Sequence, residues 1–516
     1  MAIQSNYPDI RPSLNLDFAN TKTLDPRVTF TRASTATFYD GKTVAKAEEN
    51  LLLNSATLAT QNVTVTAQAY TLSFENTGTV TLSGASTAGP LVGTGVSNRV
   101  TLTFTPTAGT LTLTVSGTVT NAQLEARASA TAYTPTTTQP ITNYIPALQT
   151  ALAGVPRFEH NPLTGESLGL EIEEQRANLL TYSEQFDNAA WTKVDSVVSA
   201  NTAIAPDGTL TGDKLVENAA LAQHACFFLS TASATAYTYS AYIKAAGRNW
   251  VFMRGRDSSA TDRFAWFDLA NGVLGTVQTN LTATIVSVGN GWYRCSITLT
   301  TAAATVPFMI GTSSGNGVNN FQGDGVSGLF IWGAQLEAGA FATSYIPTVA
   351  SQVTRSVDVA SMTGTNFSSW FKRDEGTLYA EAASYRGAYS ATAVIWAGGG
   401  SLSNRFDLSV PAGSFLAARF TVSSGSVNQA DLNVSGTFSP NTFYKAAGAY
   451  KTNDFAATAN GAAAIADTSG TVPSTGLDML TIGSRDSPSL IQNGTIRRLA
   501  YYPKRLTDAQ LQAITS

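Results

Sequence analysis

The chain has 516 residues and a formal net charge of −4, enough length for roughly three or four domains. Charged residues make up only 13%, but hydrophobic residues make up 43%, so a core can be buried and the low charge does not indicate disorder. The charge is spread without a basic run and no apolar run has the length of a membrane helix, which argues against nucleic-acid binding and membrane insertion.

The first residues, MAIQSNYPDIRPS, have neither the basic nor the apolar region of a signal peptide. We therefore expect the chain to be made and folded in a cytoplasm. Residues 1–47 are poor in a core of their own, and we expect them to be an extended segment that attaches the protein to a larger particle.

Residues 48–140 contain short runs in which large and small residues alternate. In YTLSFENTG, for example, Tyr70, Leu72 and Phe74 alternate with small or polar residues. Successive side chains of a strand face opposite sides, so this period of two gives each strand one dry and one wet face. Regular short strands of this kind, separated by Gly and Asn turns, predict a first β-sandwich.

A sixteen-residue segment occurs twice in similar form, as NAQLEARASATAYTPT at 121–136 and GAQLEAGAFATSYIPT at 333–348. Each copy is preceded, in the same order, by Asn-Leu-Leu, by a strand that opens Ala-Tyr-Thr, and by a later alternating strand. This order indicates a duplicated domain, which places a second β-sandwich at 178–350. The repeated segment is then the last strand of each sandwich together with the residues that leave it, the exit tail. Four of its side chains are expected to point inward: Leu124, Tyr133, Leu336 and Tyr345.

A third sandwich is expected at 375–516, because EGTLYAEA at 375–382 begins another series of alternating strands. Residues 141–177 and 351–374 are predicted to be linkers, the former continuing the N-terminal unit. The chain should end with a strand over 495–502 and a short helix with Thr507 as its N-cap, whose apolar residues are Leu511 and Ile514.

Several segments resemble a known group of proteins. FYKAAGAYKTNDFAATANG with TIGSRD and NGTIRRLAYYPKRLTDAQLQAI is similar to the C-terminal concanavalin A-like, or laminin G-like, jelly roll of many phage and prophage virion proteins. LDFANTKTLDPRVTFTRASTAT and VPRFEHNPLTGESLGLEIEEQRANLLTYSEQFDNAAWTK resemble the opening of the same proteins. GDGVSGLFIWGAQLEAG resembles their carbohydrate-binding-module-like sandwich. In this group RASTAT runs quickly into VPRF, so residues 48–140 look like an inserted module.

The resemblance implies an all-β fold of three tandem sandwich or jelly-roll domains. It also implies a non-enzymatic protein on the virion surface, on the tail or capsid exterior, made in the host bacterial cytoplasm. Residues 1–47 would contact other virion proteins, and the chain would form a homo-oligomer, with a trimer favoured. The expected function is attachment to a host-surface glycan as a tail fibre or tail-tip adhesin. Two alternatives stay open: a capsid decoration protein or head fibre, and a polysaccharide depolymerase, although no β-helix rungs are visible.

Pairs of acidic residues are candidates for catalysis, but no catalytic residue is predicted. Glu171 and Glu173 share one face of a strand, and paired carboxylates are what a glycosidase uses. The competing interpretation is a solvated strand face with Arg176 nearby. Glu125 and Glu337, at the same point of the repeat, either bond the backbone near the closing strand or face solvent.

Calcium is the one metal for which the sequence offers candidate ligands. Asp207 and Asp324 each precede a glycine and could ligate calcium, but Asp-Gly is also an ordinary turn. The cysteines and histidines show no zinc spacing, and no other cofactor is expected. Cys226 and Cys295 lie in strand-like runs, either as a cross-strand disulfide or as two buried thiols.

Aromatic residues are the better candidates for glycan contact, because sugar rings stack on exposed Trp and Tyr. Most tryptophans of the second sandwich should be core, as Trp292 and Trp332 are in apolar surroundings. Trp250 lies among arginines that include Arg254, which predicts exposure. We therefore name three candidate glycan contacts: Trp250, Arg254 and, in the third sandwich, Trp396.

Overall fold

The computed structural model describes residues 8–385, 392–398, 403–410, 416–436, 439–485 and 490–516. Over these residues the chain is built almost entirely of antiparallel strands, arranged in three β-sandwiches. The predicted all-β fold class is confirmed. No helix among the described residues is long and apolar enough to cross a membrane.

The N-terminal segment contains four strands and one short helix. Their bounds are β1 (Leu14–Asp17), α1 (Phe18–Thr21), β2 (Thr29–Thr31), β3 (Ala36–Phe38) and β4 (Val44–Asn50). Leu14 and Leu16 alternate with polar residues along β1 and, with Phe18, are buried in the core of the third sandwich. The segment therefore packs into a core that the rest of the chain provides.

The first sandwich follows, with strands β5 (Gln61–Val65), β6 (Tyr70–Asn76), β7 (Thr79–Gly84), β8 (Leu91–Val92), β9 (Gly95–Phe104), β10 (Gly109–Ser116) and β11 (Thr120–Glu125). One sheet has the order β5-β10-β7-β8 and the other β11-β6-β9. The alternating large residues of β6 and β10 form the core between them, and Leu72, Phe74 and Leu111 are fully buried.

The next strands flank the insertion: β12 (Ile141–Pro146), β13 (Gln149–Ala151), β14 (Phe158–His160), β15 (Ser167–Ile172) and β16 (Arg176–Asn178). β12 pairs with β4, and β13 pairs with β3. The segments that enter and leave the first sandwich therefore lie side by side, which is the geometry of a domain inserted into a loop.

The second sandwich comes next in the chain. Its strands are β17 (Thr192–Val194), β18 (Ser196–Ala203), β19 (Gly212–Glu217), β20 (Leu221–Ala222), β21 (Ala225–Ala232), β22 (Ala236–Ala246), β23 (Trp250–Arg256), β24 (Asp262–Asp268), β25 (Val273–Val277), β26 (Thr282–Gly289), β27 (Trp292–Thr300), β28 (Ala304–Ser313), β29 (Phe321–Gln322) and β30 (Gly328–Ala338). The two main sheets have the orders β17-β21-β28-β23-β24-β25 and β18-β19-β30-β22-β27-β26.

The remaining elements are β31 (Val353–Arg355), β32 (Val359–Thr363), α2 (Thr365–Ser368), β33 (Glu375–Ser384), β34 (Thr392–Gly398), β35 (Arg405–Val410), β36 (Leu416–Ser424), β37 (Val427–Ser435), β38 (Tyr444–Lys451), β39 (Phe455–Ala459), β40 (Ile465–Asp467), β41 (Met479–Ile482), β42 (Gly494–Tyr502) and α3 (Asp508–Thr515). The side chains of Thr507 and Gln510 form a capping box at the start of α3, as the predicted N-cap requires.

The third sandwich uses strands from outside the expected 375–516. One sheet has the order β14-β15-β42-β33-β38-β39-β40, with β1 also beside β42, and the other β2-β32-β41-β34-β35-β36-β37. Strands β1, β2, β14, β15 and β32 come from the expected anchoring segment and the two expected linkers. These three stretches are therefore built into the sandwich through backbone pairing.

Candidate functional site

A cleft of about 330 Å³ opens at one end of the second sandwich. It lies between the β22–β23 turn at 247–250, the β24–β25 turn at 268–271 and the end of β28 at 313–314. Gly247 has φ +105° at the first turn, and a Cβ there would lie 2.8 Å from Ser327 Oγ, so only glycine fits this turn.

Asp268 organises the second turn. Its carboxylate accepts hydrogen bonds from the Ala270 N–H at 2.9 Å and from the Asn271 side-chain amide at 2.8 Å. The Leu269 N–H donates to the Asn249 carbonyl at 2.7 Å, which ties this turn to the β22–β23 turn. Side-chain and backbone hydrogen bonds together therefore hold these two turns of the cleft.

Trp250 supplies the aromatic wall of the cleft. It is half-buried and packs at the margin of an apolar cluster on the outer face of the sheet, which contains Phe252 and Trp266. Its ring lies over Gly275, where a Cβ would come within 2.6 Å of Cζ3. The indole N–H makes no hydrogen bond within the described part of the chain, so it can donate to a bound molecule.

The other two candidate glycan contacts are not part of this cleft. Arg254 pairs with Asp262 at 3.1 Å across the β23–β24 hairpin, and burial lowers the pKa of Arg254. Trp396 lies on β34 opposite Asp407 and Thr481 in the strand register, and its side chain lies outside the described residues. Arg248, which was not named as a contact, lines the cleft instead.

The two calcium candidates act as turn residues. Asp207 Oδ1 accepts from the Thr209 N–H at 2.9 Å, and Asp324 Oδ1 accepts from the Ser327 N–H at 2.7 Å. Hydrogen bonds from Ser327 hold the pKa of Asp324 below its ordinary value. Across the described residues, no group of three or more His, Cys, Asp or Glu side chains is placed to hold a metal ion.

Glu171 and Glu173 lie in the interior and not on a solvated face, so that interpretation is wrong. Arg157, itself fully buried, pairs with Glu171 and with Glu173 at 2.9 Å each, and with Asp358 at 2.7 Å. Both carboxylates are buried because β15, the segment before β32 and the N-terminal segment converge here. Arg32 completes the cluster by pairing with Asp358 at 3.1 Å.

The two glutamates of this cluster have pKa values that are shifted in opposite directions. Burial would raise the pKa of Glu173, but Arg355, Arg157 and hydrogen bonds from Ser344 outweigh it and lower that pKa to about 2. For Glu171 burial dominates over the attraction of Arg157, and its pKa lies well above the ordinary value. Both carboxylates are committed to guanidinium partners, so the arrangement joins chain segments and is not the open carboxylate pair of a glycosidase.

Glu125 and Glu337 bond the backbone, and the alternative that they face solvent is wrong. Both are fully buried. Glu125 accepts from the Thr131 N–H at 2.9 Å, and Glu337 accepts from the Thr343 N–H at 3.0 Å. Each glutamate thereby holds the start of the exit tail against the closing strand.

A second pair of residues, not singled out from the sequence, does similar work. Asn178 donates to the carbonyls of Ala334 and Ile346 and accepts from the N–H groups of Leu180 and Leu336. Asn50 makes the matching bonds in the first sandwich, to Ala122, Thr134, Leu52 and Leu124. The repeated Asn-Leu-Leu was the signal in the sequence that could have identified both.

The expected core positions are buried with one exception. Leu124, Leu336 and Tyr345 are buried, whereas Tyr133 is half-buried. Trp292 and Trp332 are buried as predicted. Cys226 and Cys295 are free, buried thiols, so the disulfide alternative is wrong.

Comparison with known proteins gave matches only among solved structures. No family model and no curated protein matches the chain. A Ruminococcus gnavus IT-sialidase CBM40 domain is 16% identical, with a TM-score of 0.26, covering 29% of this chain and 88% of that one. A Limulus polyphemus SAP-like pentraxin is 12% identical, with a TM-score of 0.23, covering 28% and 70%. Mouse laminin alpha1 LG4-5 is 8% identical, with a TM-score of 0.21, covering 55% and 86%. At these values the comparisons assign no family to the chain.

Proposed function

We propose that this protein is a non-enzymatic glycan-binding component of a phage virion, acting as a tail fibre or tail-tip adhesin. The observation that carries the glycan part is the Trp250 cleft, where a half-buried indole and exposed amide and hydroxyl side chains meet. Its volume of about 330 Å³ lies at the lower end of small-molecule sites, which suits one or a few sugar units.

The virion part rests on the sequence resemblance at both ends of the chain and on the architecture. Three β-sandwiches, with carboxylates engaged in ion pairs and turns, suit a protein that binds other molecules and does not transform them. Trimer formation and contacts with other virion proteins are part of the same proposal. Residues 14–18 of the N-terminal segment are built into the third sandwich, so they do not form a separate anchor for these contacts.

A glycan array probed with the full chain tests the binding function. We expect the wild type to bind at least one saccharide and Trp250→Ala to lose about tenfold or more in affinity. Tyr144→Ala is the matched control, because Tyr144 is an exposed aromatic residue, 58% accessible, on β12 and outside the cleft. Its binding should equal that of the wild type.

The array is paired with a reducing-sugar assay on each saccharide that binds. Binding without released sugar supports the adhesin. Release of sugar by the wild type would replace it with the depolymerase, and absence of any binding would overturn the glycan part. Antibody against residues 365–516, applied to intact particles, should label tails; label on the shell would favour a capsid decoration protein.

A further inference from the structure

We infer that the Trp250 cleft selects neutral saccharides and rejects anionic ones, such as sulfated sugars and uronic acids. The inference rests on the proposed function and names its ligand class. It follows from how the two charged residues that line the cleft, Arg248 and Asp268, are engaged.

Arg248 is the cation that lines the cleft, and it is already paired. Its Nε donates to Glu217 Oε2 at 2.9 Å, its Nη2 also bonds Glu217, and Nη2 lies 3.4 Å from Asp324 Oδ2. Its guanidinium carbon sits 5.1 Å from the centre of the Phe321 ring. Two carboxylates thus neutralise this single charge.

Glu217 makes that pairing hard to break. Only 1% of Glu217 is accessible, so turning Arg248 toward a ligand would leave a carboxylate buried without its partner. The hydrogen bond that Arg248 donates to Glu217 also raises the pKa of Arg248, as expected for a stable pair. Proteins often recognise a carboxylate or sulfate by a bidentate arginine contact. In Arg248 the Nε and Nη2 groups already make such a contact with Glu217.

Asp268 adds a negative charge to the cleft. Its carboxylate accepts hydrogen bonds from the turn at 270–271, and it forms no ion pair in the part of the chain that the structure describes. Asp268 is only 8% accessible, and repulsion between two anions is stronger in such a partly desolvated place than in water. A ligand carboxylate or sulfate in this cleft would meet that repulsion.

The remaining polar groups are neutral. Asn249, Asn271 and Ser314 are exposed at the rim, and the Trp250 indole N–H is available. Amides and hydroxyls both donate and accept, and so do sugar hydroxyls. An uncharged, hydroxyl-rich ring stacked on Trp250 matches all of these groups together.

The test uses saccharides in matched pairs: lactose with lactose 3′-sulfate, and a galactose oligomer with the corresponding galacturonate oligomer. We expect the wild type to bind a neutral member at least about tenfold more tightly than its anionic partner. Binding of the neutral member should change less than about twofold between low and high salt, because no ligand charge is screened.

Asp268→Asn probes the cause, since it removes the charge and keeps an acceptor for the Ala270 N–H. Discrimination against the anionic member should fall by about tenfold or more. Asp207→Asn is the matched control, because Asp207 caps a similar turn outside the cleft. That variant should discriminate as the wild type does.

The outcomes separate the two proposals. Tighter or equal binding of the anionic members, abolished by Trp250→Ala, would overturn the selectivity and leave glycan binding standing. An unchanged discrimination in Asp268→Asn, with the variant folded by circular dichroism, would also overturn it. Binding of no saccharide at all would overturn the proposed glycan function itself.

Discussion

Glu125 and Glu337 occupy the same position in two copies of one sandwich, and each accepts a hydrogen bond from the backbone of a threonine six residues further along. The closing strand and the exit tail run past each other without pairing as a ladder. Several of their backbone N–H groups are therefore bonded by side chains, and those side chains have to recur with the sandwich. This explains why the sixteen-residue segment occurs twice in the sequence.

Replacing Glu337 by alanine should lower the free energy of unfolding by about 1–3 kcal/mol, because the Thr343 N–H would be buried without an acceptor. Urea unfolding measures the change. Glu337→Gln keeps an acceptor oxygen and should lose less. Asp478→Ala serves as a control, since Asp478 is exposed and its side chain makes no contact among the described hydrogen bonds and ion pairs. Equal stability of Glu337→Ala and the wild type would contradict the role assigned to this glutamate.

The two asparagines allow the sandwiches to be distinguished. Asn178→Ala should cost about 1–3 kcal/mol and lower the midpoint of unfolding followed by tryptophan fluorescence. Asn50→Ala should cost a similar amount but leave that midpoint in place, because residues 48–140 contain no tryptophan. Faster hydrogen exchange confined to 48–140 would report the second change. A fall of the fluorescence midpoint in Asn50→Ala equal to that in Asn178→Ala would mean that the two sandwiches do not unfold separately.

The strands and the duplicated closure could be predicted because they are local. Alternation in β6 places Leu72 and Phe74 on one face whatever the rest of the chain does. Pairing between distant segments is different. Leu14 is opposite Tyr501 in the register of β1 and β42, and nothing in either short strand specifies the other. Segments expected to be an anchor or linkers were therefore assigned to the third sandwich only by the structure.

The same limit applies to the sites. The alternation around Glu171 and Glu173 shows that they share a face, but it cannot show that other segments cover that face and bring Arg157 to it. Trp250 was identified because arginines flank it. In the β23–β24 hairpin, Arg254 pairs with Asp262, which is directly opposite Arg256 in the register. Arg248 instead lies in the β22–β23 turn, where it lines the cleft.

Arg157 should be one of the most sensitive positions in the chain. Arg157→Ala removes a guanidinium shared by three buried carboxylates and should cost about 3–5 kcal/mol in unfolding free energy. Arg419→Ala is the matched control, because Arg419 pairs with Asp431 where both side chains are 34% accessible. Its loss should cost less than about 1 kcal/mol. Denaturant unfolding compares the two, and similar costs would show that the buried cluster contributes no more than a surface pair.

Glu159 should make stability depend on pH. Burial raises its pKa from 4.5 to about 7, although the N–H groups of Tyr39 and His160 donate to it. The folded state then holds a proton that the unfolded state releases. This contribution to stability is fully present below the unfolded pKa and is lost as the pH rises through about 7.

Glu159→Gln keeps the acceptor oxygen and should show a smaller fall in melting temperature than the wild type between about pH 5 and 8. Burial lowers the pKa of the neighbouring His160, so that residue acts in the opposite direction. The difference between wild type and variant therefore isolates Glu159. Identical profiles for the two proteins would show that the carboxyl titrates alike in the folded and unfolded states.

Cys226 and Cys295 should be unreactive in the native protein. Both are fully buried, and burial raises the pKa of Cys226 to about 12 and the pKa of Cys295 further still. The thiolate is the reactive form. At about pH 8 a thiol reagent can therefore neither reach these cysteines nor react with an ionised thiol. We expect almost no labelling of the folded chain and labelling of both cysteines after denaturation without reductant. Prompt labelling of the folded chain would contradict the burial, and failure to label after denaturation would indicate the disulfide that the structure excludes.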